Sequence, residues 1–335
     1  MTYAILVSAP YLLPVFERFE PIFRRRDIEV IRARVRERLE EQALLQFAGQ
    51  VDGVICGDDR FSARVLEAFA PRLRVIAKWG TGIDSIDLDA AEELGIQVHN
   101  TPGAFTEAVA DSVMAYMLAF ARRTPWLDQA MKRGEWKKLP GRALHECSLG
   151  VIGVGNIGKA VLRRAQAFGM QLMGNDILEI DPEFIAEVGV EMVDLETLLR
   201  SADFISLNCD LNPTSRHLID EQRLALVKST AVLINTARGS VVEERAMIRA
   251  LQDGRLAGAG LDVYEDEPLP ADSPLLGMDQ VLLAPHNANS SPAAWERVHR
   301  NTINCLLGGL GLEPASEEEF AEGLRMSNSK GGGSK

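Results

Sequence analysis

Cysteine is scarce in this sequence: four residues in 335, Cys56, Cys147, Cys209 and Cys305, with no CxxC pair among them. That spacing offers no disulfide framework and fits isolated core thiols in a reducing, cytoplasmic compartment. Positive charge is also in deficit. Thirty-six Lys and Arg against 48 Asp and Glu leave a net charge of -12, which repels polyanions and argues against nucleic acid or an anionic membrane surface as a partner. Long apolar runs are missing as well. The opening stretch, residues 4–16, is broken by Pro10 and Pro14 and has no basic flank, so it reads as a first buried strand and neither as a leader nor as a membrane span. Only five histidines are present; none sits in a metal-ligand spacing, and no metal is expected.

What is present is 46% apolar residues, enough at this length for two domains. Apolar runs at 4–7, 28–35, 51–56, 73–77 and 96–99 read as strands, with helical patterns at 37–47, after Ser62 and at 88–94. A long helix is expected over 104–122, where Val109, Val113, Met114, Met117, Leu118 and Ala121 share one face; that face suggests a junction between domains or between two copies of the chain. A second series follows, with strands at 149–153, 171–175, 204–207, 231–235, 258–263 and 281–284 and a closing helix at 292–307. Short buried strands alternating with helices predict α/β architecture with doubly wound parallel sheets. The arginines between Arg24 and Arg38 interleave with acids and read as a solvated face; Glu317–Glu319 read as a solvated tail, and the Gly/Ser/Lys-rich residues 327–335 as a flexible linker.

One turn carries chemistry. Gly153-Val154-Gly155-Asn156-Ile157-Gly158 follows the apolar run 149–152, opens the helical pattern 159–168, and precedes Asp176 at the end of the next strand. A strand, GxGxxG, a helix and a later acid together make a dinucleotide fingerprint. Gly153 permits the tight turn, Gly155 admits a pyrophosphate to the backbone, and Gly158 lets the helix pack on the strand with its free N–H groups facing the phosphates. Asp176 accepts from ribose hydroxyls and repels a 2′-phosphate, and residues 177–180 hold no base, so NAD is expected over NADP.

Polar residues recur where later strands end: Asn235-Thr236-Ala237-Arg238-Gly239, Asp262 through Glu267-Pro268, and Pro285-His286. Ligands bind outside the carboxyl ends of strands in open α/β sheets, which makes Arg238, Asp262, Glu267 and His286 candidates. These segments, with the glycine turn and Gly80-Thr81-Gly82-Ile83-Asp84, resemble the D-2-hydroxyacid dehydrogenase family, which includes phosphoglycerate dehydrogenases, glyoxylate reductases and D-lactate dehydrogenases; the match runs over about residues 78–300. The resemblance implies an NAD-binding Rossmann domain at 100–287, inserted in a flavodoxin-like substrate domain made of 1–99 and 288–312, with 313–335 as a tail. The long helix at 104–122, with its extended apolar face, motivates the expectation of a homodimer.

The implied reaction moves a hydride between NAD and C2 of a D-2-hydroxy or 2-oxo acid, 3-phosphoglycerate or a related small acid among them. His286 suits the proton transfer, since a group titrating near neutrality serves both directions. Glu267 is given the part of the carboxylate that fixes the imidazole, and Arg238 offers a planar fork to the substrate carboxylate or reacting oxygen. Substrate-binding roles fall on Lys78, Gly80, Thr81, Gly82 and Arg238, and cofactor contacts on Thr236, Ala237 and Asp262. Lys78 stands where many relatives have arginine, and Asn208-Cys209-Asp210 and Asn287-Ala288-Asn289 depart from the usual pattern. The competing reading is an NAD-sensing, corepressor-like interaction protein; the intact Arg238, Glu267 and His286 set favours the enzyme.

Overall fold

The computed structural model describes residues 2–322, so the linker expected at 327–335 lies outside the described residues. The chain folds into two compact units, Met1–Ala104 with Ser291–Lys335, and Phe105–Ser290. Among the described residues no helix is long and apolar enough to cross a membrane.

The discontinuous unit is built on strands β1 (Tyr3–Val7), β2 (Ile28–Arg32), β3 (Gly53–Cys56), β4 (Val75–Lys78) and β5 (Gln97–His99). All pair in parallel in the order β2-β1-β3-β4-β5, the flavodoxin-like arrangement. Every residue of β3 and β4 is buried, as expected of a parallel sheet covered on both faces. One cover is the closing helix Pro292–Gly309, which packs on β3, β4 and β5. Its approach at Gly309 is close, because a Cβ there would lie 2.4 Å from Val75 Cγ2.

Two expectations need correction in this unit. The helix foreseen over 37–47 begins only at Glu41 and runs to Leu44, followed by a 3₁₀ turn at Leu45–Phe47. The preceding residues are kept out of the helix by tertiary bonding, with the Leu39 amide donating to Asp59 Oδ1 at 2.6 Å. Part of the supposed tail is also packed: residues 317–322 are helical, Phe320 is 1% exposed, and its ring meets Phe19 edge-on at 6.1 Å. Glu319 is no solvated acid, since hydrogen bonding to Arg26 at 2.8 Å holds its carboxyl down to about 2. The arginine-rich stretch supplies these partners, with Arg25 bound to Glu322 and Glu319 and Arg32 to Glu20.

The continuous unit carries β6 (Ser148–Ile152), β7 (Gln171–Asn175), β8 (Glu191–Met192), β9 (Phe204–Leu207), β10 (Val232–Asn235), β11 (Gly258–Leu261) and β12 (Val281–Leu283). The order β12-β11-β10-β9-β6-β7-β8, parallel throughout, is the Rossmann pattern, and its direction reverses between β6 and β9. Separate cores flank the sheet: Val113, Met117, Val161 and Ile234 belong to one, and Leu198, Ile205, Leu233 and Met247 to the other. Each fully buried Val, Leu or Ile contributes roughly 1.5–3 kcal/mol. The long helix, Thr106–Arg122, spends its apolar face on this unit's own core and packs along the helix Asn156–Ala167. Arg164 ties the pair, reaching Asp111 at 2.7 Å and Glu107 at 2.6 Å.

Candidate active site

The glycine turn has the geometry its residue types foretell. Gly153 has φ +88°, and a Cβ there would lie 2.7 Å from the Cys209 amide nitrogen. A Cβ at Gly158 would sit 2.1 Å from Gly153 O, so the helix enters closer than any side chain allows. Gly155 is different: a Cβ would meet nothing within 4 Å. Space, and not packing, explains that glycine, and the space lies at the exposed start of the helix Asn156–Ala167, where Asn156 and Ile157 carry amides without helical partners. Asp176 sits at the mouth, accepting from the Val154 amide at 2.6 Å and the Leu178 amide at 2.8 Å. Ile177 and Leu178 are largely exposed beside it, an apolar ledge suited to a flat base. Buried polar atoms without partners, Thr236 Oγ1 and Asn208 Oδ1, mark the ends of β10 and β9. An open glycine, free helix amides, an acid and an apolar ledge fit a dinucleotide: the pyrophosphate over Gly155 to Gly158 and the adenosine ribose at Asp176.

Further along the same edge, three strand ends converge. His286 follows β12, and its Nδ1 lies 2.9 Å from Glu267 Oε2. The other carboxylate oxygen of Glu267 accepts from the Tyr264 amide at 3.0 Å, so the acid is fixed at both ends. A carboxylate at this distance favours the tautomer with the proton on Nδ1. Asp262, at the end of β11 and 1% exposed, accepts from the amides of Asn287 at 2.7 Å and Ala288 at 2.9 Å, while its carbonyl accepts from the His286 amide at 2.7 Å. Burial raises its carboxyl above the usual range, opposed by those amides and by His286.

Arg238 follows β10. Its Nη1 donates to Ala237 O at 2.9 Å, and its own carbonyl accepts from Asn235 Nδ2 at 2.9 Å. The Asn235 side chain also accepts from the Ala237 amide at 3.1 Å, which sets the path of Thr236-Ala237-Arg238. Gly239 is where this loop presses on the next one: a Cβ would lie 1.8 Å from the Tyr264 carbonyl carbon. Asn235, Tyr264 and Ser112 therefore support the site, although none was among the sequence candidates. A buried asparagine closing an apolar run was a usable signal for Asn235. Nothing in the helical pattern around Ser112, whose hydroxyl donates to Ala288 O at 3.3 Å, could have found it.

The remaining candidates lie in the discontinuous unit. Gly80 has φ +130°, a value open to glycine, and the turn is stitched to the segment after β5: the Thr101 amide donates to Gly80 O at 3.0 Å and Asn100 Nδ2 to Thr81 O at 2.5 Å. Lys78 is 4% exposed, its ammonium 3.1 Å from Asp58 Oδ1 and 3.2 Å from Trp79 O. Beside it Asp59 is fully buried, taking Ser8 Oγ at 2.5 Å, and burial pushes its carboxyl up to about 6. Of the other histidines, His299 is buried and accepts from Trp79 Nε1 at 2.9 Å, and His217 pairs with Glu265 at 2.8 Å.

Comparison with known proteins agrees with this geometry. Residues 114–288 match the model of the D-isomer specific 2-hydroxyacid dehydrogenase NAD binding domain. The chain is 44% identical over 239 residues to a glyoxylate reductase of Korarchaeum cryptofilum, covering 70% of this chain and 71% of that one. It is 39% identical over 282 residues to a hydroxypyruvate reductase of Thermotoga maritima, covering 82% and 90%. Among solved structures, a D-lactate dehydrogenase of Aquifex aeolicus complexed with NAD and lactic acid superposes with a TM-score of 0.81 at 27% identity, over 96% of this chain and 98% of that one. A glycine turn built for a dinucleotide, a carboxylate-bound histidine past the last strand and these relationships lead to one conclusion: the chain belongs to the D-isomer specific 2-hydroxyacid dehydrogenase family and is an NAD-dependent oxidoreductase.

Proposed function

We propose that this protein interconverts a small, unphosphorylated 2-oxo acid and its D-2-hydroxy acid, with His286 as acid and base. The observation that carries the reading is the 2.9 Å contact between His286 Nδ1 and Glu267. It supports Nε2 as the nitrogen for the proton transfer, because a carboxylate at Nδ1 favours the Nδ1–H tautomer and places a negative charge beside the imidazolium. Bound NAD supplies the hydride acceptor, or NADH the donor, held by Gly153, Gly155, Asn156, Ile157 and Gly158 at the pyrophosphate, Asp176 at the ribose, and Thr236, Ala237 and Asp262 nearer the reacting end. His286 Nε2 takes the hydroxyl proton in oxidation and returns it to the carbonyl oxygen in reduction. Arg238 holds the carboxylate or the reacting oxygen through its planar fork. In the discontinuous unit, the amides of Gly80, Thr81 and Gly82 serve the substrate carboxylate.

The unphosphorylated substrate is supported by Lys78. Its charge could serve a phosphate or a second carboxylate of the substrate, yet its ammonium is buried and matched to Asp58. Two of the relatives are named for acids of this class, glyoxylate and hydroxypyruvate, while another, 40% identical, is named a D-3-phosphoglycerate dehydrogenase. The experiment is NADH oxidation with glyoxylate, pyruvate, hydroxypyruvate and phosphohydroxypyruvate, in which the first three are turned over and the last is poor. No turnover with any of them, together with NAD-dependent capture of a partner protein, is the outcome that an NAD-sensing role requires. The four cysteines are free thiols, two of them buried, in keeping with a cytoplasmic setting.

A further inference from the structure

We propose that Asp262 is a positioning residue for His286: its buried carboxylate fastens the strained backbone turn on which the imidazole stands. The inference rests on the reading of His286 as the acid and base, and it goes beyond the nicotinamide contact that the family resemblance gives Asp262.

The strain is local and visible. His286 has φ +51°, a left-handed conformation that costs a residue with a Cβ on the order of 1 kcal/mol or more and persists only where the surroundings impose it. Three of the hydrogen bonds that impose it converge on one residue. The amides of three successive positions, His286, Asn287 and Ala288, donate to Asp262, the first to its carbonyl at 2.7 Å, the next to Oδ1 at 2.7 Å and the last to Oδ2 at 2.9 Å. A carboxylate offers an acceptor at each oxygen, which is what two neighbouring amides in an irregular turn require; an amide side chain offers only one. The far side of the same turn is propped by Ser112 Oγ, which donates to Ala288 O at 3.3 Å. Before the turn, Tyr264 Oη donates to Ala284 O at 2.8 Å. His286 therefore meets Glu267 because its backbone is clamped on both sides to β11 and to the helix Thr106–Arg122.

A buried carboxylate is retained at this cost for its charge as well as its shape. The ionisable groups facing Asp262 are Tyr116 from the helix, Tyr264 and Glu267 from the loop after β11, and His286. His286 is the cation-forming member, so the charge of Asp262 favours the imidazolium that reduction needs. Each oxygen keeps a second lone pair, and a cofactor donor can be accepted in addition without displacing the amides.

The test is Asp262→Asn, assayed with NADH and the best 2-oxo acid. A positioning role lowers kcat ~10- to 100-fold, the effect of small misplacement of a catalytic group. It leaves NADH affinity, read by fluorescence titration, within about 3-fold, and moves the alkaline limb of the kcat/KM profile for reduction to lower pH, because a negative charge near the imidazolium is gone. Loss of NADH affinity by the same factor as kcat, with the pH limb unmoved, would overturn it in favour of a cofactor contact alone. Where Asp262→Asn does not fold, Ser112→Ala loosens the same turn from the helix side. A fall in kcat of about 3-fold at unchanged NADH affinity supports the proposal, and an unchanged kcat overturns it. Full activity in His286→Ala would instead remove the underlying reading of the site.

Discussion

At the scale of single residues, strand-end position and chemistry together made His286 and Arg238 legible, because a polar side chain just past a buried apolar run has few structural reasons to be there. Glu267 was legible only through the family resemblance; its spacing from His286 says nothing until the loop after β11 folds back and brings its carboxylate to 2.9 Å. Lys78 shows what spacing leaves out. Its partner Asp58 lies on a different strand end, and a sequence does not show which charges have already been matched. Asp176 is the residue whose prediction is simplest. With no base at 177–180, its carboxylate is the main bar to a 2′-phosphate. Asp176→Ala should lower the NADH-to-NADPH ratio of kcat/KM by ~10-fold or more, as expected for removal of a like charge from a phosphate. An unchanged ratio would place the ribose elsewhere.

At the scale of elements, β7 and β9 were read without error, whereas the run 28–35 overran β2 by three residues and 258–263 overran β11 by two, because an apolar run does not show where sheet pairing stops. The strand β8, two residues long at a sheet edge, has no pattern to read. The helix starting at Glu41 was placed too early because the Leu39 amide is taken by Asp59, a contact across the fold that helical periodicity does not encode. The closing helix Pro292–Gly309 carries a consequence for stability. Its His299 is 3% exposed, and burial holds the imidazole down to about 4. The unfolded chain binds a proton near the ordinary histidine value and the folded chain does not until about pH 4, so His299 costs nothing above about pH 6.5. Stability falls by up to ~3 kcal/mol as the pH drops between those values. Glu319, held near 2 by Arg26, acts as the pH falls below about 4.5, its ordinary value. Asp59, pushed up to about 6, works in the opposite direction over the same range, so the comparison of two proteins isolates the histidine: His299→Gln should gain stability relative to the wild type as urea unfolding is moved from pH 7 to 4.5, and a constant difference would contradict the assignment.

At the scale of the whole molecule, the two-sheet α/β organisation followed from rhythm, whereas the oligomeric state did not. The helix Thr106–Arg122 prompted the homodimer, yet its apolar face is consumed by its own unit. We keep the homodimer as a proposal on other residues: Trp136, 87% exposed, and Met131, half exposed, are large apolar side chains in the segment that follows. Sedimentation at micromolar concentration should give a dimer that Trp136→Ser weakens, and a wild-type monomer would end that proposal. The central claim is narrower and is met by one measurement: single-turnover oxidation of prebound NADH by hydroxypyruvate, in the wild type and in His286→Ala. Acid catalysis by His286 predicts a hydride-transfer rate lower by ~10²- to 10⁴-fold in the variant, the usual worth of a general acid, with NADH binding unchanged. Equal rates in the two proteins, or loss of NADH binding in step with rate, would contradict it.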